Sequence, residues 1–166
     1  LGSNNIDHRI NNRDFSDAPV AEAFGMALAE IENADQIVLL GSNIRHELPL
    51  LHARLRKAQT KNGAKIHAVN PVDFDFAFKL AGKQIVAPSR FVEALGNAQL
   101  VDAVKAGSNT VIIVGAIAEN HPQAAAIRSA ASAFAAATGA KLCRIPQGAN
   151  AVGLTNAGVL PAGKDV

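Results

Sequence analysis

Residues 36–58, QIVLLGSNIRHELPLLHARLRKA, decide the fold of this chain. An apolar run ends at Gly41, and a basic amphipathic segment follows it. The apolar positions of that segment recur at three- and four-residue spacing: Leu48, Leu51, Leu55 and Ala58. A continuous apolar run is typical of a strand that is buried on both faces, and the spacing is typical of a helix with one buried face. We therefore predict a buried strand, a glycine turn and a helix over about residues 47–61.

The alternation of strand and helix continues along the chain. We predict further strands at 65–69, 84–88, 110–115 and 141–146, and further helices at about 19–33, 90–106 and 123–139. Such alternation is typical of an open, mostly parallel, doubly wound sheet with helices on both faces. An α/β domain of this class is predicted for residues 18–146. Residues 1–17 are predicted to form an irregular arm, and 147–166 a glycine-rich tail.

The composition excludes several classes of function. The 166 residues carry a net charge of +2, and the seven Phe are the only large aromatic residues because Trp and Tyr are absent. A weak charge and few aromatic rings argue against a nucleic-acid-binding surface. No apolar run approaches the roughly 18 residues of a membrane span, so we predict no membrane insertion. Leu1 opens the chain and Met26 is its only methionine, so we expect a piece of a longer polypeptide.

Residues for catalysis or metal binding are not evident in the sequence. The single cysteine, Cys143, excludes an internal disulfide and every multi-cysteine metal or iron–sulfur site, and its apolar surroundings predict a buried, inert thiol. No histidine pair has the spacing of a helical metal site, and no nucleophile elbow is present. Asp73 and Asp75 alternate with Phe residues, which favours a half-buried strand or turn over an acid pair. We predict no catalytic residue and no metal site.

The turn that begins at Gly41 is the candidate ligand site. Ligands of doubly wound folds bind beyond the carboxyl ends of the strands, where backbone N–H groups at the start of a helix hold phosphate. Gly41 permits close backbone approach, and Ser42 and Asn43 add hydrogen-bond donors. The G-x-G-x-x-G and P-loop patterns are both absent, so a purely structural turn remains the alternative.

The helix after this turn is rich in basic residues. They are Arg45, Arg54, Arg56, Lys57, Lys61 and Lys65, and Glu47 is the one acid among them. Positive charge near the end of a helix complements its dipole, which favours a solvated face. A docking surface for an acidic partner is the alternative interpretation.

The order of several segments resembles the molybdopterin-oxidoreductase superfamily. These segments are NNIDHRINNRDF (4–15), residues 34–58, GAKIHAVNP (63–71), VIIVG (111–115) and GANAVGLTNAGVLP (148–161). Within the superfamily the chain is most similar to the large iron–sulfur subunits of NADH:quinone oxidoreductases (respiratory complex I). This resemblance implies iron–sulfur clusters elsewhere in the parent polypeptide and a cytoplasmic position peripheral to the inner membrane. It also implies that other subunits of the peripheral arm are the partners, and Arg54, Arg56 and Lys57 are the expected contact.

The chain departs from the superfamily pattern at two cofactor motifs. Molybdenum-containing members often carry G-x-N-P after the first strand and D-P-R after the second, and both motifs contact the guanine dinucleotide part of the cofactor. Here Ile44 replaces the proline, Asn70 replaces the aspartate and Val72 replaces the arginine. The chain therefore lacks an acidic acceptor for guanine or ribose and a charged fork for phosphate.

The resemblance thus implies a relic cofactor cradle, formed by Gly41, Ser42, Asn43 and Asn70, that no longer binds its ligand. The first hypothesis is a structural and assembly domain of a respiratory electron-transfer subunit, with no cofactor in this chain. The second is a working domain that binds molybdopterin guanine dinucleotide in a molybdenum oxidoreductase, such as a formate dehydrogenase. The third is a free-standing α/β nucleotide-binding enzyme.

Overall fold

The computed structural model describes residues 14, 16–17 and 23–159, and its centre is a parallel sheet. The strands are β1 (Gln36–Leu40), β2 (Lys65–Asn70), β3 (Gly82–Ile85), β4 (Thr110–Val114) and β5 (Lys141–Arg144). Their order across the sheet is β3-β2-β1-β4-β5, and every neighbouring pair is parallel. The order of the strands reverses between β1 and β4, which is the switch point of a doubly wound sheet. The predicted fold class is confirmed.

Helices cover both faces of the sheet. They are α1 (Ile44–Glu47), α2 (Pro49–Asn62), α3 (Phe91–Leu95), α4 (Ala98–Lys105), α5 (Ala116–Glu119), α6 (Ala124–Thr138) and α7 (Ala151–Asn156), with 3₁₀ turns at Glu30–Asn33 and Pro88–Arg90. None of the helices in the described part of the chain is long and apolar enough to cross a membrane. The short helix α7 lies in the segment that we predicted only as a glycine-rich tail.

The two faces of β1 belong to two separate parts of the core. Ile37 and Leu39 pack with α2 and the Glu30–Asn33 turn, whereas Val38 and Leu40 pack with α3, α4 and α6. All five residues of β1 are buried, and so are all five of β4. This arrangement explains the continuous apolar runs, because alternate side chains of a strand point to opposite faces of the sheet.

The prediction of a helix over 19–33 is wrong for the part that the structure describes. Residues 23–29 are irregular and only Glu30–Asn33 forms a helical turn, while 18–22 lie outside the described residues. The physical reason is a tertiary contact, since a Cβ atom at Gly25 would overlap the carbonyl oxygen of Leu142 in β5. The segment therefore runs close to the backbone of β5, and this packing overrides local helix propensity.

The predicted helix over 90–106 is interrupted. It divides at Gly96 and Asn97, and the Asn97 side chain accepts a hydrogen bond from the Leu100 amide at 3.2 Å. Asparagine is a strong N-cap, so this contact starts α4 as a new helix.

In β5, Cys143 is fully buried as predicted, and burial raises the pKa of its thiol to about 11.

The loop after β2 is docked on α2 by aromatic rings. Phe76 and Phe78 are buried, and the ring of His52 lies 5.1 Å from that of Phe78. The His52 Nε2 atom accepts a hydrogen bond from the Ala77 amide at 3.3 Å. This contact requires a neutral imidazole, because a protonated ring has no acceptor atom.

Asp73 and Asp75, by contrast, point outward from this loop. Each forms an ion pair at the surface, Asp73 with Lys83 and Asp75 with Arg45. Of the two predicted alternatives, a half-buried strand or turn, the structure has an irregular, half-buried loop.

We expect stability to fall as the pH is lowered from about 7.5 to 5.5. Burial, together with nearby cations, lowers the pKa of His52 and of His67 below the ordinary value. The unfolded chain then binds more protons than the folded chain, so this contribution is present above about pH 6.5 and is lost as the pH falls through the lowered pKa values.

Urea unfolding of the H52Q/H67Q double variant across this pH range measures the effect. Glutamine can still accept the Ala77 hydrogen bond, and the slope of the free energy of unfolding against pH should become smaller. The variant H46Q, at an exposed position, is the matched control. An unchanged slope in the double variant would contradict the prediction.

Candidate functional site

The predicted cradle residues meet at the carboxyl edge of the sheet. Gly41 and Ser42 follow β1, Asn70 ends β2, and the turn that begins at Gly115 follows β4. Gly41 donates its amide hydrogen bond to the Val69 carbonyl at 2.9 Å, which continues the pairing of the strands. The structure therefore brings the predicted residues together at the switch point, where ligands of this fold class bind.

The Asn70 side chain holds the backbone of Ser42 on both sides. The Ser42 amide donates to Asn70 Oδ1 at 2.8 Å, and Asn70 Nδ2 donates to the Ser42 carbonyl at 3.1 Å. Both residues are buried. An aspartate at this position accepts the first bond but has no hydrogen for the second at neutral pH. Both polar atoms of the Asn70 side-chain amide are therefore hydrogen-bonded to the backbone of Ser42.

Glu47 fills the cradle with its carboxylate. The Asn43 amide donates to Glu47 Oε1 at 2.7 Å, while the Ser42 hydroxyl and the Ala116 amide each donate to Oε2 at 3.1 Å. These donors come from the turn after β1 and the turn after β4. The sequence pattern indicated Glu47 only as a charge opposing the basic helix. The sequence only weakly indicates that the Glu47 carboxylate accepts hydrogen bonds from this turn. The usual capping glutamate lies three residues after the N-cap, whereas Glu47 lies four residues after Asn43.

The glycines at this edge pack the two turns against each other. Gly41 has φ = +56°, and a Cβ there would lie 2.8 Å from the Ala118 Cβ and 2.9 Å from a ring carbon of Phe91. A Cβ at Gly115 would lie 2.6 Å from the Ser42 Oγ. Gly41 therefore permits close approach, and the groups that approach it in this structure belong to the chain.

Backbone hydrogen bonds close the same crevice. The Gly115 amide donates to the Leu40 carbonyl, and the Ile117 amide donates to the Gly41 carbonyl, each at 2.9 Å. The turn after β1 and the turn after β4 are thus joined directly, across the point where the strand order reverses.

A second polar cluster lies at the ends of β4 and β5, and the sequence pattern did not indicate it. The buried carboxylate of Glu119 accepts from Arg144 Nε at 2.6 Å and from Arg128 Nη1 at 3.2 Å. Arg128 also donates to both carboxylate oxygens of Asp17, and its hydrogen bond lowers the pKa of that carboxyl group. Arg128 Nη2 further donates to the Asp14 carbonyl at 2.7 Å. Buried charges are tolerated when they are paired in this way.

The basic helix α2 is partly neutralised within the chain. Arg54 Nη1 lies 2.6 Å from Glu32 Oε1, and Lys57 Nζ lies 2.8 Å from Glu32 Oε2. Glu32, which lies outside the basic stretch in the sequence, therefore neutralises part of its charge. Arg56 is exposed and forms no ion pair with any residue that the structure describes.

The geometry of this edge does not fit a dinucleotide cofactor. The Ser42 and Asn43 amides, the Ser42 hydroxyl and the Ala116 amide are all bonded to groups of the chain. A phosphate at these donors displaces the Glu47 carboxylate or meets its negative charge. Residues 14, 16–17 and 23–159 also contain no cluster of three His, Cys, Asp or Glu side chains arranged to hold a metal ion.

Comparison with known proteins identifies the family. The molybdopterin oxidoreductase family matches residues 1–164. This chain belongs to the molybdopterin oxidoreductase family. The predicted resemblance is confirmed, and the closed edge around Gly41 is that of a molybdopterin oxidoreductase domain.

The relatives are subunits of NADH oxidoreductases. The chain is 30% identical over 170 residues to an NADH-quinone oxidoreductase subunit of Mycobacterium bovis, across 97% of this chain and 21% of the relative. It is 32% identical to the mitochondrial "NADH-ubiquinone oxidoreductase 78 kDa subunit" of Neurospora crassa, across 67% of this chain and 14% of the relative. The chain thus spans about a fifth of the length of the Mycobacterium bovis relative. These names favour the first hypothesis over a formate dehydrogenase.

Alanine at Gly41 should destabilise the protein by more than alanine at Gly63. Both glycines have positive φ, at +56° and +70°, so each substitution costs about 1–2 kcal/mol of backbone strain. Gly63 has open space around it, whereas the new Cβ at Gly41 meets Ala118 and Phe91. Overpacking adds about 1–3 kcal/mol to the cost of G41A. Urea unfolding of the two variants measures the difference, and equal losses would show that the two turns are not tightly packed.

Proposed function

We propose that this chain is the doubly wound domain of a large iron–sulfur subunit of an NADH:quinone oxidoreductase. Its role is to support the structure and assembly of the peripheral arm, on the cytoplasmic side of the inner membrane. The similarity to an NADH-quinone oxidoreductase subunit across 97% of the chain supports the parent enzyme. The bonding of the Glu47 carboxylate supports a structural role, because it occupies the donors that a phosphate of the cofactor needs.

Electron transfer in this proposal takes place elsewhere in the parent polypeptide. Electrons from NADH pass through iron–sulfur clusters, and such clusters need several thiolate ligands. Cys143 is the only cysteine of the chain, it is buried, and burial raises the pKa of its thiol to about 11. In this proposal the domain therefore contributes no ligand to the clusters.

The alternative, a working molybdenum domain, requires the same residues to be free to bind a ligand. It requires Gly41, Ser42, Asn43 and Asn70 to present free donors and acceptors to molybdopterin guanine dinucleotide. The two polar atoms of the Asn70 side-chain amide, the amide and hydroxyl of Ser42 and the backbone amide of Asn43 are instead bonded within the chain. This geometry supports the structural role.

The metal content of the full parent protein, purified from its own cells, tests the proposed function. We expect abundant iron and no stoichiometric molybdenum, because the clusters lie outside this domain and the cradle is closed. A molybdenum enzyme from the same cells, such as a formate dehydrogenase, is the control for metal loading. One molybdenum atom for each chain would overturn the proposal in favour of the working cofactor domain.

We further propose that the exposed basic side of α2 contacts a neighbouring subunit, and Arg56 is the residue with which to test it. Reversal of Arg54 or Lys57 also breaks an internal ion pair with Glu32, so a loss of assembly in those variants has two explanations. The R56E variant should retain its melting temperature and co-purify less well with the other subunits. K105E, at an exposed position on α4, is the matched control. Equal recovery of both variants would indicate a face that contacts only solvent.

A further inference from the structure

We infer that Glu47 is a built-in anion that excludes phosphate groups from this cradle. The inference rests on the proposed function, because it gives the physical cause of a cradle that binds no cofactor. It places the exclusion in one side chain, rather than in a general loss of hydrogen-bond donors.

The carboxylate of Glu47 is bound as a ligand would be. Its two oxygens accept from the Asn43 amide at 2.7 Å, the Ser42 hydroxyl at 3.1 Å and the Ala116 amide at 3.1 Å. Backbone amides and a hydroxyl that converge in this way are the groups with which proteins bind phosphate. No Lys or Arg of the described part of the chain forms an ion pair with Glu47. Within the described part of the chain, its negative charge is therefore met by hydrogen-bond donors and by no ion-paired cation.

A helix cap does not account for this arrangement. A capping glutamate bonds the amide at the start of its own helix, which explains only the contact with Asn43. The Ala116 amide lies 69 residues further along the chain and belongs to the turn after β4. One carboxylate thus joins the two turns on either side of the switch point.

The donors are held in place by contacts other than those with Glu47. The Ser42 backbone is bonded on both sides to Asn70, and the Gly115 amide, next to Ala116, is bonded to the Leu40 carbonyl. Removal of the carboxylate should therefore leave the donors in position but without an acceptor. A seat of this kind, with three converging donors and no opposing negative charge, should take up phosphate.

Thermal unfolding with inorganic pyrophosphate tests the inference, with sodium chloride at equal ionic strength as the reference. We expect E47A to melt below the wild type in chloride and to gain a saturable rise in melting temperature with pyrophosphate. The rise should be roughly 5 °C or more when the anion is at about 100 times its dissociation constant. The wild type should show no saturable rise.

Two further variants separate charge from folding. E47D retains the negative charge and should, like the wild type, show no saturable response. E47Q removes the charge while its side-chain oxygen can still accept a hydrogen bond, so it tests the inference even if E47A does not fold. A saturable response in E47A or E47Q but not in E47D supports the inference.

The remaining outcomes distinguish this inference from the proposed function. If the wild type, E47A and E47Q all lack a saturable response, the inference is overturned while the structural role stands. If the wild type itself responds to the same extent as E47A, both the inference and the closed cradle are overturned.

Discussion

The contact between the turn after β1 and the turn after β4 is the constraint on which the rest of this structure depends. It lies between the two fully buried strands, and it requires two backbones to approach without side chains between them. Gly41 and Gly115 supply that condition, and the Glu47 carboxylate joins the turns by accepting from both. The edge where this fold class normally binds a ligand has thus become part of the core packing of the domain.

This arrangement supports the proposal that the domain binds no cofactor. Hydrogen-bond donors at a strand-to-helix turn must be satisfied by something when they are buried. In this chain Asn70 and Glu47 satisfy them. Ile44 is buried and fixes the first turn of α1 in the core. The domain therefore completes its own polar contacts and requires no ligand to do so.

The sequence was sufficient to predict the sheet, because the continuous apolar runs of β1 and β4 indicate strands that are buried on both faces. The same reasoning placed Gly41 and Ser42 at the carboxyl edge of the sheet, and the resemblance to the molybdopterin-oxidoreductase superfamily added Asn70. It did not predict the partners of these residues. The contacts of Glu47 with Ala116 and of Glu32 with Arg54 join residues 69 and 22 positions apart, and no local pattern encodes them. The irregular backbone around Gly25 depends in the same way on β5.

The cluster around Arg128 has a consequence for the order in which the domain is made. Asp17 and Arg128 are 111 residues apart, and Gly25 packs against Leu142 in β5. Asp17 and Gly25 therefore have no docking surface until α6 and β5 have left the ribosome. Residues that are made before the sheet can therefore reach these native contacts only after its last strand has been made.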